Sequence, residues 1–471
     1  MTEQTKAQKL AWIGAMAFFM QTLDATILNT ALPAISKSLN ESPLEMQLAI
    51  ISYSLTVALL IPLSGWLADK YGTLTLFRLA VCTFILGSLL SACAVSLNSL
   101  VMARILQGVG GSLMMPVARL SILRTVPKNE LLNAWNIMAM AGLTGPILGP
   151  ILGGWLVTYA SWHWIFLINI PIGLLGIIVA GTYMPNCKAQ VNKLDWVGFI
   201  IFAGGLVGLT LGLDLIAENF VSKNITITIL SLGCICLVFY YFYAKSQEDV
   251  LLPLTLFQIR TFRIGFFANL FIRLCGSSIP FLFPLMLQIV FHYSAEITGW
   301  LMVPIALSSV LLKTFIARIL TVFGYKKTLI YSACCMTIII ATMSLLNQHS
   351  PIWQIILILI FYGATMSVIF TSINTLTICD LEYHNASSGS TMLSVIQQVG
   401  IGIGITLSSV IVNLYRTFLP ETPQQLQQSF SYTFLTSVSF GIALIVILFR
   451  LRDNDGEHLQ KHNVENKNGS A

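Results

Sequence analysis

The sequence predicts an all-α integral membrane protein, and three observations predict it. Of its 471 residues, 56% are hydrophobic and only 9% charged, with a mean hydropathy of +0.81. Fourteen stretches are long and apolar enough to cross ~30 Å of hydrocarbon as helices. Nineteen of the 25 Lys and Arg fall in alternate loops and the two tails, against three in the loops between them.

The apolar stretches run near 10–32, 46–67, 77–95, 98–118, 133–157, 164–184, 196–217 and 225–243, then 262–290, 295–316, 328–346, 352–378, 388–415 and 430–449. An even count places both termini on one side, and the cationic side is the cytoplasm. A missed helix would invert every later loop and erase the bias. The outer loops carry only Lys37, Lys223 and Arg416, and Arg104, Arg273 and Lys313 lie within spans. All nine Trp sit near span ends, as interfacial aromatics do. The first stretch is longer and more polar than a signal-peptide core, so no cleavage is expected.

These numbers exclude several function classes. No polar run exceeds about two dozen residues, which leaves no aqueous domain for a catalytic core. The net charge of +6 is a topology signal, so no nucleic-acid partner is expected. The nine Cys form no paired CxxC motif and read as small apolar residues. His458 and His462 stand four apart in a polar tail with no further ligand, so no metal site is expected.

Internal repeats are common in transporters. GWLADKYGTLT (65–75) follows the second span and ARILTVFGYKK (317–327) the tenth, with Gly72 aligned on Gly324. An offset of eight spans makes sense as two six-helix bundles with two helices inserted between them. The division expected is 10–184 for the N-terminal bundle and 185–261 for linkers and the inserted pair. Residues 262–452 make the C-terminal bundle, and 453–471 a disordered cytoplasmic tail.

Two opposite charges are stranded in hydrocarbon. At 1.5 Å per residue, Asp24 on the first span and Arg104 on the fourth both lie about 21 Å above the inner face. A charge at that depth costs at least ~2.5–3.5 kcal/mol, so each needs a partner and both are functional candidates. Around Asp24 stand Gln21, Thr22, Thr26, Asn29 and Thr30, while Arg104 shares a helix face with Gln107, Gly108 and Gly111. Both faces read as polar stripes suited to a wet cavity, which makes Gln21, Asn29 and Gln107 substrate-cavity candidates. The structural alternative is a static ion pair. Arg273 is about 16 Å into the ninth span with no acid at its depth in the second half, and joins the cavity candidates. Lys313 and Asp214 lie near span edges.

Two further motifs concern conformation. Gly145, Gly149 and Gly153 repeat every four residues and, with Gly154, let a neighbouring helix approach closely. Pro146 and Pro150 in the same stretch each remove a backbone donor and invite a kink. In GWLADKYG, Gly65 and Gly72 permit tight turns, and Asp69 and Lys70 are placed to bind neighbouring helix ends.

Read together, LDATILNTALP (23–33), RILQGVGGS (104–112), GPILGPILGG (145–154), SWHWIFLINIPIG (161–173) and LDWVGF (194–199) resemble the fourteen-span drug:proton antiporter group of the major facilitator superfamily, nearest to a branch of multidrug transporters. The resemblance runs from about 10 to 450. It implies the major facilitator fold and alternating access, with Asp24 as proton-coupling carboxyl and Arg104 as its basic partner. It also implies multidrug efflux of small amphipathic compounds driven by a proton gradient, with no cofactor and no enzymatic activity. The location implied is the inner membrane, and one chain suffices. A narrow-specificity metabolite exporter or importer, or a non-transporting sensor, would use the same scaffold. The chain departs from the group's pattern at Thr73, Leu74 and Thr75, where basic residues are expected, and at Asn136, where a glycine is expected. It also has no acid in 388–415.

Overall fold

The computed structural model describes residues 3–126, 128–189, 194–217, 223–247, 250, 252–381, 386–419 and 424–456. Every regular element among them is helical. First come α1 (Glu3–Leu39), α2 (Gln47–Leu60), α3 (Ser64–Tyr71), α4 (Thr73–Ala92), α5 (Leu97–Thr125), α6 (Lys128–Tyr159), α7 (Trp164–Leu167) and α8 (Asn169–Tyr183). Then follow α9 (Trp196–Ala217), α10 (Lys223–Ser246), α11 (Arg260–Gly276), α12 (Ile279–Leu285), α13 (Ala295–Met343), α14 (Ile352–Ile378), α15 (Ala386–Phe418) and α16 (Gln425–Leu448).

Among the described residues, 13 helices are long and apolar enough to span a membrane. The 49-residue α13 would measure about 74 Å at 1.5 Å per residue, too long for one crossing. Gly324, at φ 77° and ψ 166°, divides it where the sequence places the tenth and eleventh spans. Fourteen crossings result. Their outer faces carry large apolar side chains at high exposure, Ile225, Ile235, Phe239 and Phe242 of α10 among them, which only a lipid surround makes tolerable.

The helices divide into two compact units, Met1–Trp196 with Phe283–Val303, and Val197–Leu282 with Pro304–Ala471. This departs from the expected division at 184 and 261. In the second unit α9 and α10 form a hairpin whose backbones close to contact: a Cβ on Gly208 would lie 2.8 Å from Gly233 Cα. The stretch Phe283–Val303, expected in the C-terminal bundle, packs in the first unit instead. Close approaches explain it, since a Cβ on Gly299 would lie 2.3 Å from Pro150 O and one on Gly154 2.5 Å from Ala295 O. Gln288 Nε2 also donates to Thr30 O at 3.0 Å.

The glycine ladder of α6 closes on α1, the helix that carries Asp24. A Cβ on Gly145 would lie 2.2 Å from Thr22 Oγ1, and one on Gly149 2.1 Å from Thr26 Oγ1. Thr22 and Thr26 therefore face a packed seam rather than the wet stripe expected of them. Their hydroxyls donate to Phe18 O at 2.8 Å and Thr22 O at 2.9 Å, and Thr26 also reaches Gly145 O at 3.3 Å. α6 continues through Pro146 and Pro150 without a break.

The GWLADKYG segment is mostly helix. Ile61–Leu63 is a 3-10 turn that leads into α3, and Gly72 alone turns the chain at φ 96° and ψ 147°. Gly65 lies within α3 with open space where a Cβ would stand, so it makes no tight turn. Gly72 and Gly324 share nearly the same backbone conformation, as their alignment in the repeat requires.

The turn in each unit is tied to a later stretch of chain, the one after α8 in the first and the one after α16 in the second. In the first unit Thr73 Oγ1 donates to Pro185 O at 2.8 Å, and Thr73 N to Cys187 O at 3.1 Å. Asn186 Oδ1 accepts from Leu74 N at 3.1 Å, and Asn186 Nδ2 donates to Thr75 Oγ1 at 3.3 Å. The residues that replace the group's basic ones thus hold the 185–187 segment. In the second unit Lys326 pairs with Asp453 at 3.1 Å, and Arg260 with Asp455 at 3.6 Å. Arg260 also donates to Arg450 O. Residues 453–456 are therefore anchored, against the expected disorder. Residues 457–471 with His458 and His462, linker residues 190–193, and the side chains of Asn136 and Asp214 lie outside the described residues.

The seam predicts a measurable cost. Gly149→Val should lower stability by about 1–3 kcal/mol through overpacking against Thr26. Thermal unfolding of purified protein checks it, and Thr26→Ala should restore part of the loss.

Candidate functional site

Asp24 and Arg104 meet inside the first unit. Arg104 Nη1 donates to Asp24 Oδ2 at 2.6 Å, and both side chains are 1% exposed. α1 and α5 bring them together because three glycines of α5 let its neighbours close in. A Cβ on Gly110 would lie 2.5 Å from Phe84 N of α4, and one on Gly108 3.0 Å from Tyr53 O of α2. Gly111 leaves room for the Tyr53 hydroxyl, which lies 2.5 Å from where its Cβ would be. The RILQGVGGS motif is thus a helix surface shaved so that α2, α4 and α5 can converge beside α1.

The pair sits in a network that satisfies nearly every polar atom. Arg104 Nε donates to Ala49 O at 3.0 Å, and Nη1 also to Gln107 Oε1 at 2.6 Å. Gln107 Nε2 donates to Asp24 Oδ1 and to Ser88 Oγ, each at 2.8 Å. Asn169 Nδ2 adds a bond to Asp24 Oδ1 at 3.3 Å. The guanidinium lies 4.4 Å over the Tyr53 ring and 5.9 Å from that of Phe166, in cation–π geometry. Three donors, one of them charged, thus converge on the Asp24 carboxylate.

The sequence-predicted residues separate on this geometry. Asp24, Arg104 and Gln107 are one cluster, and Gln107, expected to line a substrate cavity, is instead fully buried as the bridge between the two charges. Gln21 and Asn29 are half-buried on α1, three residues before and five after Asp24. Arg273 lies in the second unit on α11. Ser88, Asn169, Tyr53 and the Ala49 carbonyl are absent from the sequence reading. Asn169 is legible in hindsight as the one amide in the apolar run FLINIPIG; Ser88 carries no such signal. Among the described residues no cluster of three or more His, Cys, Asp or Glu could hold a metal ion.

At the Gly72 turn, Asp69 pairs with Arg124 near the end of α5 at 2.6 Å, with about a quarter of each side chain exposed. Among the described residues Lys70 makes no ion pair; its ammonium lies 4.6 Å over the Trp66 ring. An exposed pair of this kind contributes at most ~1 kcal/mol and can be exchanged cheaply.

Comparison with known proteins places the whole chain. The sequence profile of the Major Facilitator Superfamily matches residues 14–194 and 265–469, and the stretch it skips holds α9 and α10. A candidate transport protein of Haemophilus influenzae, HsrA, is 59% identical over 460 residues, covering 98% of this chain and 99% of that one. A candidate multidrug resistance protein of Enterobacter sp., MdtD, is 40% identical over 445 residues and 94% of each chain. Among solved structures, a D-xylose–proton symporter superposes with a TM-score of 0.69 at 13% identity, covering 95% of this chain and 98% of that one. A peptide transporter superposes with a TM-score of 0.66 at 15% identity, covering 96% and 98%.

Removing one partner of the buried pair should cost far more than removing both. Arg104→Met leaves Asp24 uncompensated and should destabilise by about 3–5 kcal/mol. The double variant Asp24→Asn/Arg104→Met should recover much of that loss in thermal unfolding.

Proposed function

Since this chain belongs to the major facilitator superfamily and is a membrane transporter, we propose that it exports small amphipathic organic compounds by proton antiport, with Asp24 as the coupling carboxyl. The observation that carries this reading is the sealed Asp24–Arg104 pair with its amide and hydroxyl partners. The 40% identity to a protein named for multidrug resistance supports the substrate class. The proton gradient replaces any cofactor. The charge bias supports an inner-membrane location with both termini cytoplasmic, and a single chain is the working unit.

Proton coupling follows from what protonation does to the cluster. A neutral Asp24 loses the charge on which Arg104, Gln107 and Asn169 converge. Its new O–H needs an acceptor, and Asn169 Oδ1 is buried beside it without a hydrogen-bond partner. Turning the Asn169 amide supplies that acceptor while releasing its own bond to the carboxylate. Arg104, held then only by Ala49 O and Gln107 Oε1, is free to re-pair or to follow a helix shift. Since α1 is fixed to α6 along the glycine seam, a movement of Asp24 relative to Arg104 moves α1 and α6 as one body against α5. Alternating access needs such a two-state element. Each proton that enters down 100 mV supplies ~2.3 kcal/mol to drive substrate the other way.

Asp24→Asn should abolish dye efflux driven by an imposed pH gradient in proteoliposomes, while substrate binding and protein level stay near wild type. Full gradient-driven efflux by that variant would overturn the coupling role.

A further inference from the structure

Arg273 is the second cation that the sequence places deep in hydrocarbon, and among the described residues it has no counter-ion. Its guanidinium carbon lies 3.9 Å over the ring of Phe370 on α14. Its Nε is shut off from solvent and makes no hydrogen bond. None of the ion pairs among the described residues includes it. Arg104 shows the contrast: it is fully buried, where Arg273 is half-buried, and has a carboxylate, a carbonyl and an amide oxygen.

The seat of Arg273 is nonetheless built. α15 presents Gly400 and Gly404 to it, and Cβ atoms there would lie 2.8 Å from Arg273 Cβ and 2.8 Å from its carbonyl oxygen. Larger residues at either position would push the arginine aside. Other polar groups share these faces. Asn269 stands one turn before Arg273 on α11, fully buried, with Oδ1 unpartnered. Gln397, three residues before Gly400, donates from Nε2 to Asn374 Oδ1 at 3.0 Å. Asn374 lies one turn beyond Phe370 on α14. Helices α14 and α15 thus hold the arginine between an aromatic face and two glycines, while the Asn269 amide turns to Gly265 O and Thr377 Oγ1.

Leaving an unpaired charge in a membrane interior is costly, and such residues face a substrate path or find a partner. A guanidinium's planar fork matches a carboxylate in two parallel hydrogen bonds, and stacking on an aromatic ring orients it. We infer that Arg273 is the anchor of a substrate site in the second unit that takes organic anions, binding a carboxylate while apolar groups such as Phe370 receive the rest of the molecule. The inference narrows the proposed function, on which it rests for its purpose, to amphipathic acids.

Equilibrium binding tests it apart from coupling. The probes are 11-(dansylamino)undecanoate and its methyl ester, measured by fluorescence polarisation on purified protein in phosphatidylcholine nanodiscs with no gradient. Wild type should bind the acid roughly ten- to a hundredfold more tightly than the ester, the range of a hydrogen bond between charged groups. Arg273→Gln should bring the acid down to the level of the ester while ester binding persists, which reports that the variant is folded. Arg273→Lys should keep part of the preference, because it restores charge without the fork. Because no gradient is applied, this readout does not depend on proton coupling, so a failure of coupling and a failure of this site read differently. Equal binding of acid and ester, no binding of either, or a preference that survives Arg273→Gln would each overturn the proposal. Displacement of the acid by 20% phosphatidylglycerol in the nanodisc would also overturn it, assigning the site to a lipid headgroup.

Discussion

Burying a carboxylate and a guanidinium away from water costs several kcal/mol for each ion, and their attraction repays this only when the surrounding polar atoms are satisfied. The first unit is arranged around that requirement. α5 is stripped to glycine at Gly108, Gly110 and Gly111 so that the Ala49 carbonyl and the Tyr53 ring can reach Arg104 and Ser88 can reach Gln107. α1 delivers Asp24 while its threonines turn away into the seam with α6. Had α5 carried ordinary side chains at these positions, its neighbours could not have closed in on the pair.

The two intramembrane arginines therefore differ in kind. Arg104 is compensated within the protein by Asp24, the Gln107 amide oxygen and the Ala49 carbonyl. Arg273 is held in place by α15 and Phe370 but left electrically incomplete. In the roles proposed above, the first serves coupling and the second recognition.

The straps at Gly72 and Gly324 bear on how such a chain moves. The chain after α8 folds back onto the Gly72 turn with neutral hydrogen bonds, and the chain after α16 pairs with Lys326 just beyond Gly324. The chemistry differs but the mechanical result is the same, a bundle tied at one end. The exchange of the group's basic residues for Thr73 and Thr75 reads in this light as a change of fastening. The Asp69–Arg124 pair remains as the exposed, cheaply broken contact beside it.

Composition and charge placement alone determined the membrane class and the number of crossings, because hydrocarbon thickness and the charge bias act on the chain one segment at a time. The sequence also held the glycine ladder, though not the identity of its partner. Tertiary structure decided what each polar residue does. It turned Thr22 and Thr26 into packing, made Gln107 a bridge, relieved Gly65 of any turn and brought in Ser88 and Asn169. It also moved Phe283–Val303 into the first unit. These outcomes depend on which helix lies beside which and on the rotation of each about its axis. Periodicity in one strand of sequence shows that a face is polar; only the neighbour that packs there shows whether the face is wet, sealed or paired.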